Sequence, residues 1–418
     1  SADCLCLSIS APVEALQAND SGDRAVMVWI HGGGYTSGQG AIPWYNGNRF
    51  AKNNDIVVVS INYRLGALGF ADLTHLGEEF ATSNINGTLD QIAALKWVQD
   101  NIAAFGGDPS RVTIAGESAG GFSVATLMAC PSAEGLFQQA IPQSGACHHT
   151  LPQEASKKVT EHFLGELGLN SAVELEAASA EDILAAQKAT TAHFAQGAGQ
   201  VNSLGVAVSP FYPVHGNTTL PEDPLTAARN GASDTVRVLT GSNKDETTLW
   251  SVGETDQEKL ERTVAGYQAE EALAVYQRTR PEASSHDLLV AITTDHMFRI
   301  PAIRLAEARQ GAAATYMYQF NWRSRAFDGA LAATHSLEIP FAFDNLDQAG
   351  VDFFLGPGPS PQGLADTMHK VWCDFIKTGE PGWPAYDTST RATMFFDDVC
   401  EVVENPDSEE RAAWDGIR

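Results

Sequence analysis

The run Val112-Thr113-Ile114-Ala115-Gly116-Glu117-Ser118-Ala119-Gly120-Gly121 constrains the fold more than any other stretch of this chain. Four residues of strand character lead into Gly-Glu-Ser-Ala-Gly, and a helix-forming run, Phe122 to Ala129, follows. Strand, sharp turn and helix in that order put Ser118 at the tip of a tight turn. Backbone there is strained, and larger residues beside the serine would collide with neighbouring chain. A helix starting at Ala119 points its free N–H groups and positive dipole end toward negative charge arising near Ser118. Gly-x-Ser-x-Gly alone is a common loop pattern. With a strand before it and a helix after, it reads as a turn that presents a nucleophile. The rest of the chain must then supply a base, an acid and a site for an oxyanion.

The surrounding pattern is that of a mostly parallel sheet. Ala25 to Ile30 and Ile56 to Ile61 are continuous apolar runs, the mark of strands covered on both faces. Cys4 to Ile9 alternates and reads as a strand, with Leu5, Leu7 and Ile9 on one face. Between Leu89 and Phe105, Ile92, Leu95, Val98, Ile102 and Phe105 recur at helical spacing, and Gly106-Gly107-Asp108-Pro109 ends that helix. Val112 to Ala115 follows as the strand before the serine. Ala140 to Gln143, Val236 to Gly241, Thr315 to Phe320 and Thr393 to Phe396 are further strand candidates. Helical cover segments are expected over roughly 151–195 and 257–309, and a helix over Leu364 to Lys377. Strands alternating with helices imply right-handed crossovers in one α/β domain over residues 1–418.

Composition removes several classes of function. The 418 residues carry 26 Lys and Arg against 52 Asp and Glu, a net charge of −26, which repels nucleic acid and anionic membranes. No stretch approaches the roughly 20 apolar residues of a membrane span, and no signal peptide is visible. Six cysteines without a Cys-x-x-Cys pair make neither a disulfide framework nor a structural zinc site, although one or two disulfides stay open.

A serine nucleophile needs a base, an acid to orient that base, and donors aimed at the developing oxyanion. His31-Gly32-Gly33-Gly34 follows a buried strand and precedes the serine turn, and its glycines let N–H groups approach a substrate. Gly33, Gly34 and the N–H of Ala119 are the candidate donors. Downstream, Gly241-Ser242-Asn243-Lys244-Asp245-Glu246 is a strand breaking into a turn with two carboxylates. His335 lies in a loop after the Thr315–Phe320 strand. By pattern alone it competes with His148, His149, His162, His193, His215, His286, His296 and His369, and most histidines are surface or satisfied core residues.

Taken together, these motifs resemble the type-B carboxylesterase/cholinesterase-like family of α/β-hydrolases. The resemblance is carried by Ser1-Ala2-Asp3-Cys4-Leu5, His31 to Tyr35, Asn62 to Phe70, the block from Leu89 to Gly121, and Gln143-Ser144-Gly145. Gly241 to Glu246 and His335-Ser336-Leu337-Glu338-Ile339-Pro340-Phe341 belong to it too. It implies an α/β-hydrolase fold with helical cap insertions. It also implies that Ser118 is nucleophile, His335 base, Glu246 rather than Asp245 the acid, and Gly33, Gly34 and Ala119 the oxyanion hole. By the same resemblance Glu117, Ser144 and Glu338 lie close to this triad, Arg64 and Asp90 form a structural ion pair, and Leu249 and Trp250 line the substrate pocket. The implied substrate is a small-molecule ester, with no metal or organic cofactor.

The chain departs from the family's pattern at its start. Members carry a segment ahead of this opening motif, with the partner of the cysteine and the aromatic platform that cholinesterases use for choline. A shortened member or a truncated chain is expected here, without choline specificity. A non-catalytic cholinesterase-like binding scaffold, or a truncated and poorly active hydrolase, is the competing reading, but such scaffolds usually lose a triad residue, and Ser118, Glu246 and His335 are all present. Lipase, thioesterase and amidase activities would share the triad. Oligomeric state and compartment are not encoded in any motif.

Overall fold

The computed structural model describes residues 3–17, 22–169, 172–195, 209–251 and 255–417. Ser1 and Ala2, which contribute to the opening-motif resemblance, lie outside them. A nine-stranded sheet runs through the described residues. Its strands are β1 (Leu7–Ser10), β2 (Arg24–Ile30), β3 (Val57–Ile61), β4 (Gly107–Glu117), β5 (Gln139–Gln143), β6 (Arg237–Asn243), β7 (Thr315–Phe320), β8 (Thr393–Phe396) and β9 (Glu401–Val403). Their spatial order is β1-β3-β2-β4-β5-β6-β7-β8-β9. The seven inner strands are parallel, and only β1 and β9 run antiparallel at the edges.

The fold is an α/β-hydrolase sheet covered on both faces, as the apolar runs require. In β2, Val26, Val28 and Ile30 enter the core on one face, and Ala25, Met27 and Trp29 enter it on the other. The first face packs against helices α1 (Asn86–Asn101), α2 (Ala119–Met128), α3 (Gln153–Leu167) and α4 (Ala180–Ala195). On the second face lies α7 (Gln362–Thr378), through Leu364, Met368, Trp372, Phe375 and Ile376. Between them in sequence come α5 (Ser285–Thr294) and α6 (Ile300–Ala308), which surround a third apolar cluster with Tyr276 and Trp414.

Two expectations need correction at their edges. The first strand begins at Leu7, not Cys4, because β3 offers partners only as far as Ile61, opposite Leu7. Ahead of it the chain turns, with the Cys6 N–H donating to the Cys4 carbonyl. The helix read to Phe105 ends its α-helical part at Asn101, and Ile102–Phe105 tightens into a 3-10 turn closed by Gly106 at φ +78°. The six cysteines are all free thiols. The Arg64–Asp90 pair is present and bidentate, at 2.8 and 2.9 Å, with both residues partly open to solvent, Arg64 the more so.

Candidate active site

Strand order reverses at β2, which has β3 on one side and β4 on the other. In open parallel sheets the crevice outside the carboxyl ends at such a point is where ligands bind. The glycine loop leaves β2 there and the serine turn leaves β4. Ser118 has φ +57° and ψ −124°, a conformation its neighbours enforce. Its N–H donates to the Gln143 carbonyl at 3.0 Å, and its carbonyl accepts from the Phe122 N–H at 2.8 Å. The small residues of the motif are required by close backbone approach. A Cβ on Gly120 would stand 2.0 Å from the Ile30 carbonyl oxygen, and one on Gly116 2.6 Å from the same atom.

The glycine loop is held by its own polar contacts. A Cβ on Gly33 (φ +110°) would meet the Ser37 carbonyl oxygen at 2.2 Å. The His31 ring stacks on Tyr63, with centroids 4.6 Å apart, and the Tyr63 hydroxyl donates to the His31 carbonyl at 2.8 Å. Burial pushes the His31 imidazole down to about 4, so it is neutral and serves the loop rather than proton transfer. Among the described residues no acceptor takes the N–H of Gly33, Gly34 or Ala119. These are the donors that a loop and a helix N-terminus leave free.

His335 lies beyond β7 and is buried, at 3 % exposure. Its Nδ1 is 2.6 Å from Glu246 Oε2, and its N–H donates to the Glu246 carbonyl at 3.1 Å. Glu246 opens a 3-10 turn directly after β6 and has no exposed surface; its Oε1 accepts the Asn243 N–H at 2.8 Å. Asp245 turns away, toward Arg323 at 3.1 Å and the Ala333 N–H at 3.2 Å. The other ring nitrogen of His335, Nε2, makes no hydrogen bond, and the Ser118 hydroxyl is not bonded to it. Glu117 Oε1 lies 3.1 Å from Nε2 and accepts the Ser336 hydroxyl at 2.8 Å.

Three buried carboxylates therefore surround one imidazole. Glu338 is fully buried and accepts from Gln143 Nε2 at 3.2 Å and Asn243 Nδ2 at 2.7 Å. Burial, reinforced by the charges of Glu117 and Glu246, pushes Glu338 up to about 8, so it holds its proton at neutral pH. Burial also raises Glu117, to about 6, against the pull of His335. For His335 burial acts downward, but Glu117, Glu246 and the Glu246 hydrogen bond outweigh it and lift the imidazole to about 9. Ser144, buried at φ +44°, donates its N–H to the Gly241 carbonyl at 2.9 Å, and its hydroxyl has no partner.

Trp250 is half exposed, with its ring 4.8 Å from that of His335; Leu249, before it, is partly buried in the same turn. A second ring beside His335 is Phe298, at 4.9 Å, which sequence reasoning missed. Phe298 also lies parallel to Trp250 at 6.3 Å and to Phe122 at 6.3 Å. It sits in a π turn, Asp295–Arg299, between α5 and α6. Pro301 has no N–H to continue the helical ladder, which accounts for the irregular turn. A proline inside a helical pattern is the signal that could have flagged this segment. Among the described residues no group of three His, Cys, Asp or Glu side chains is arranged to hold a metal ion.

Comparison with known proteins matches residues 1–414 to the family model described as the carboxylesterase family. The para-nitrobenzyl esterase of Bacillus subtilis is 37 % identical over 425 residues, covering 98 % of this chain and 82 % of that protein. The phenmedipham hydrolase of Pseudarthrobacter oxydans is 33 % identical, covering 95 % of this chain and 79 % of that protein. Among solved structures, a thermophilic para-nitrobenzyl esterase superposes with a TM-score of 0.86 at 34 % identity, covering 99 % of this chain and 84 % of that one. A Geobacillus stearothermophilus carboxylesterase gives 0.85 at 37 % identity, covering 99 % and 86 %.

Proposed function

The chain belongs to the carboxylesterase family and is an ester hydrolase, and on that premise we propose that it works through an acyl-enzyme on Ser118. Ser118 Oγ attacks the ester carbonyl while His335 Nε2 takes its proton. Glu246 holds Nδ1–H, fixes the tautomer that leaves Nε2 able to accept, and stabilises the imidazolium. The tetrahedral oxyanion is received by the N–H groups of Gly33, Gly34 and Ala119, which are preorganised because nothing else engages them. His335 then protonates the leaving alcohol, and water activated by the same imidazole releases the acid. In the free enzyme such nucleophile–base contacts are often open and tighten when substrate binds.

The observation that carries this reading is the fully buried 2.6 Å contact between Glu246 and His335. It leaves the second imidazole nitrogen without a hydrogen bond beside the residue that precedes the strained serine. Trp250 and Phe298 form an aromatic wall against His335, which fits an apolar acyl or alcohol group. The names of the relatives, a para-nitrobenzyl esterase among them, support aromatic esters as a starting substrate class. Hydrolysis of p-nitrophenyl acetate, butyrate and octanoate, with Ser118→Ala alongside, tests the proposal. Turnover in the folded wild type that survives in Ser118→Ala, or no turnover at all, would sink it.

A further inference from the structure

Behind the π turn that carries Phe298 is a cavity of about 20 Å³ with an unusual lining. Three guanidiniums, Arg299, Arg391 and Arg411, face it together with Tyr386, and no carboxylate lines it. Each cation has its carboxylate elsewhere or not at all. Arg299 Nε and Nη2 both engage Asp295, which leaves Nη1 buried without an acceptor. Arg391 gives Nη2 to Glu307 at 3.0 Å and Nη1 to the Thr388 carbonyl, and its Nε is left over. Arg411 makes no ion pair among the described residues, and its Nε is buried and unpartnered. The Tyr386 hydroxyl, in a residue 6 % exposed, has Arg391 as its side-chain neighbour.

Arginine does not lose its charge inside a protein. Asp295 and Glu307 pair with two of the guanidiniums, and Glu410 and Asp407 act on Arg299 from further off, but none of these four carboxylates lines the cavity. Buried donors without acceptors are rare in native proteins and call for an occupant. A water would have to turn its two hydrogens toward the side-chain oxygens of Ser242, Gln319, Thr393 or Asn405, whereas an anion accepts from all the guanidiniums at once. The volume admits one particle of about water size, which excludes phosphate or a carboxylate. We propose that this cavity binds one monatomic anion, chloride or bromide, on Arg299, Arg391, Arg411 and Tyr386. The bound anion joins the short helix Ser408–Ala412, which holds Arg411, to the π turn.

Melting of the purified chain in sodium chloride and in sodium gluconate, at equal ionic strength, is the first readout. Chloride should raise Tm saturably by roughly 1–3 °C, and gluconate, too large to enter, should not. Arg411→Gln and Arg391→Gln, both away from Ser118 and His335, should hydrolyse esters normally and lose the chloride effect. A crystal of the wild type soaked in bromide should show an anomalous peak within hydrogen-bond distance of the three arginines. Equal Tm in both salts together with no bromide peak would mean that the cavity holds water only. A chloride effect that persists in both variants would place the anion elsewhere and overturn the assignment.

Discussion

Glu246→Gln is the substitution that best separates a geometric acid from a mere neighbour. The two oxygens of Glu246 have different partners: Oε1 accepts the Asn243 N–H at 2.8 Å and Oε2 faces His335 Nδ1 at 2.6 Å. Glutamine has one acceptor. If its NH2 faces Asn243, two N–H donors meet in a fully buried place, at about 1–3 kcal/mol. If it faces His335, Nδ1 must give up its hydrogen, and the proton goes to Nε2, the atom that has to accept from Ser118. A wrong tautomer of this kind lowers kcat about 10⁴-fold, on the order of 5 kcal/mol in the barrier. Asp245→Asn is the control, because Asp245 pairs with Arg323, whose side chain is 63 % exposed. Such a pair contributes at most about 1 kcal/mol. Steady-state kinetics on p-nitrophenyl butyrate should show a loss near 10⁴ in kcat for Glu246→Gln and a change within about threefold for Asp245→Asn. Equal losses, or an active Glu246→Gln beside a crippled Asp245→Asn, would refute the reasoning.

Ser118→Ala should remove on the order of 10⁶ in kcat with an unchanged melting curve, since the triad acts as a unit; a smaller loss in a folded sample would move the nucleophile elsewhere. In Gly120→Ala the new Cβ would stand 2.0 Å from the Ile30 oxygen, so the destabilisation should exceed the roughly 1–3 kcal/mol of ordinary overpacking. Denaturant midpoints would measure it. Glu117→Gln removes a charge that stabilises the His335 imidazolium, so the acid limb of kcat/KM should shift to lower pH. An unmoved limb would mean that another group titrates. Glu338, raised from 4.5 to about 8, contributes stability that is complete below pH 4.5 and lost as pH rises through 8. Between pH 5 and 9 the wild type should therefore lose more stability than Glu338→Gln, read from denaturant titrations at each pH.

Much of the framework was legible because continuous apolar runs leave a parallel strand few alternatives. Thr315–Phe320 and Thr393–Phe396 have the bounds expected of them, and Ala25 to Ile30 is covered on both faces. What the sequence hid depends on local turns. Asp245 and Glu246 are adjacent carboxylates, and only the 3-10 turn after β6, closed by the Asn243 N–H, decides which one faces His335. No periodicity records that choice; resemblance to a family did. Phe298 reads as one more apolar residue in a helical block until the π turn rotates it toward the histidine. Glu401–Val403 escaped because a three-residue edge strand with one charged member has no pattern to detect.

Four non-glycine residues with positive φ flank the crevice: Tyr35 at 60°, Ser118 at 57°, Ser144 at 44° and Ser336 at 64°. Each costs about 1–3 kcal/mol and persists only where the surroundings over-determine it. Here they do. The Tyr35 carbonyl accepts the Gly66 N–H at 2.6 Å while its ring meets Phe70 at 4.9 Å. The Ser144 N–H is fixed on Gly241, and the Ser336 hydroxyl on Glu117. These residues follow β2, β4, β5 and β7 respectively, so four separate loops bring their strain to one place. Positive φ is found in ten other described non-glycine residues as well, but these four are held by contacts around the crevice, so the backbone of several loops together shapes the surroundings of His335. Relaxing one of these turns should therefore stabilise the chain and loosen the site together.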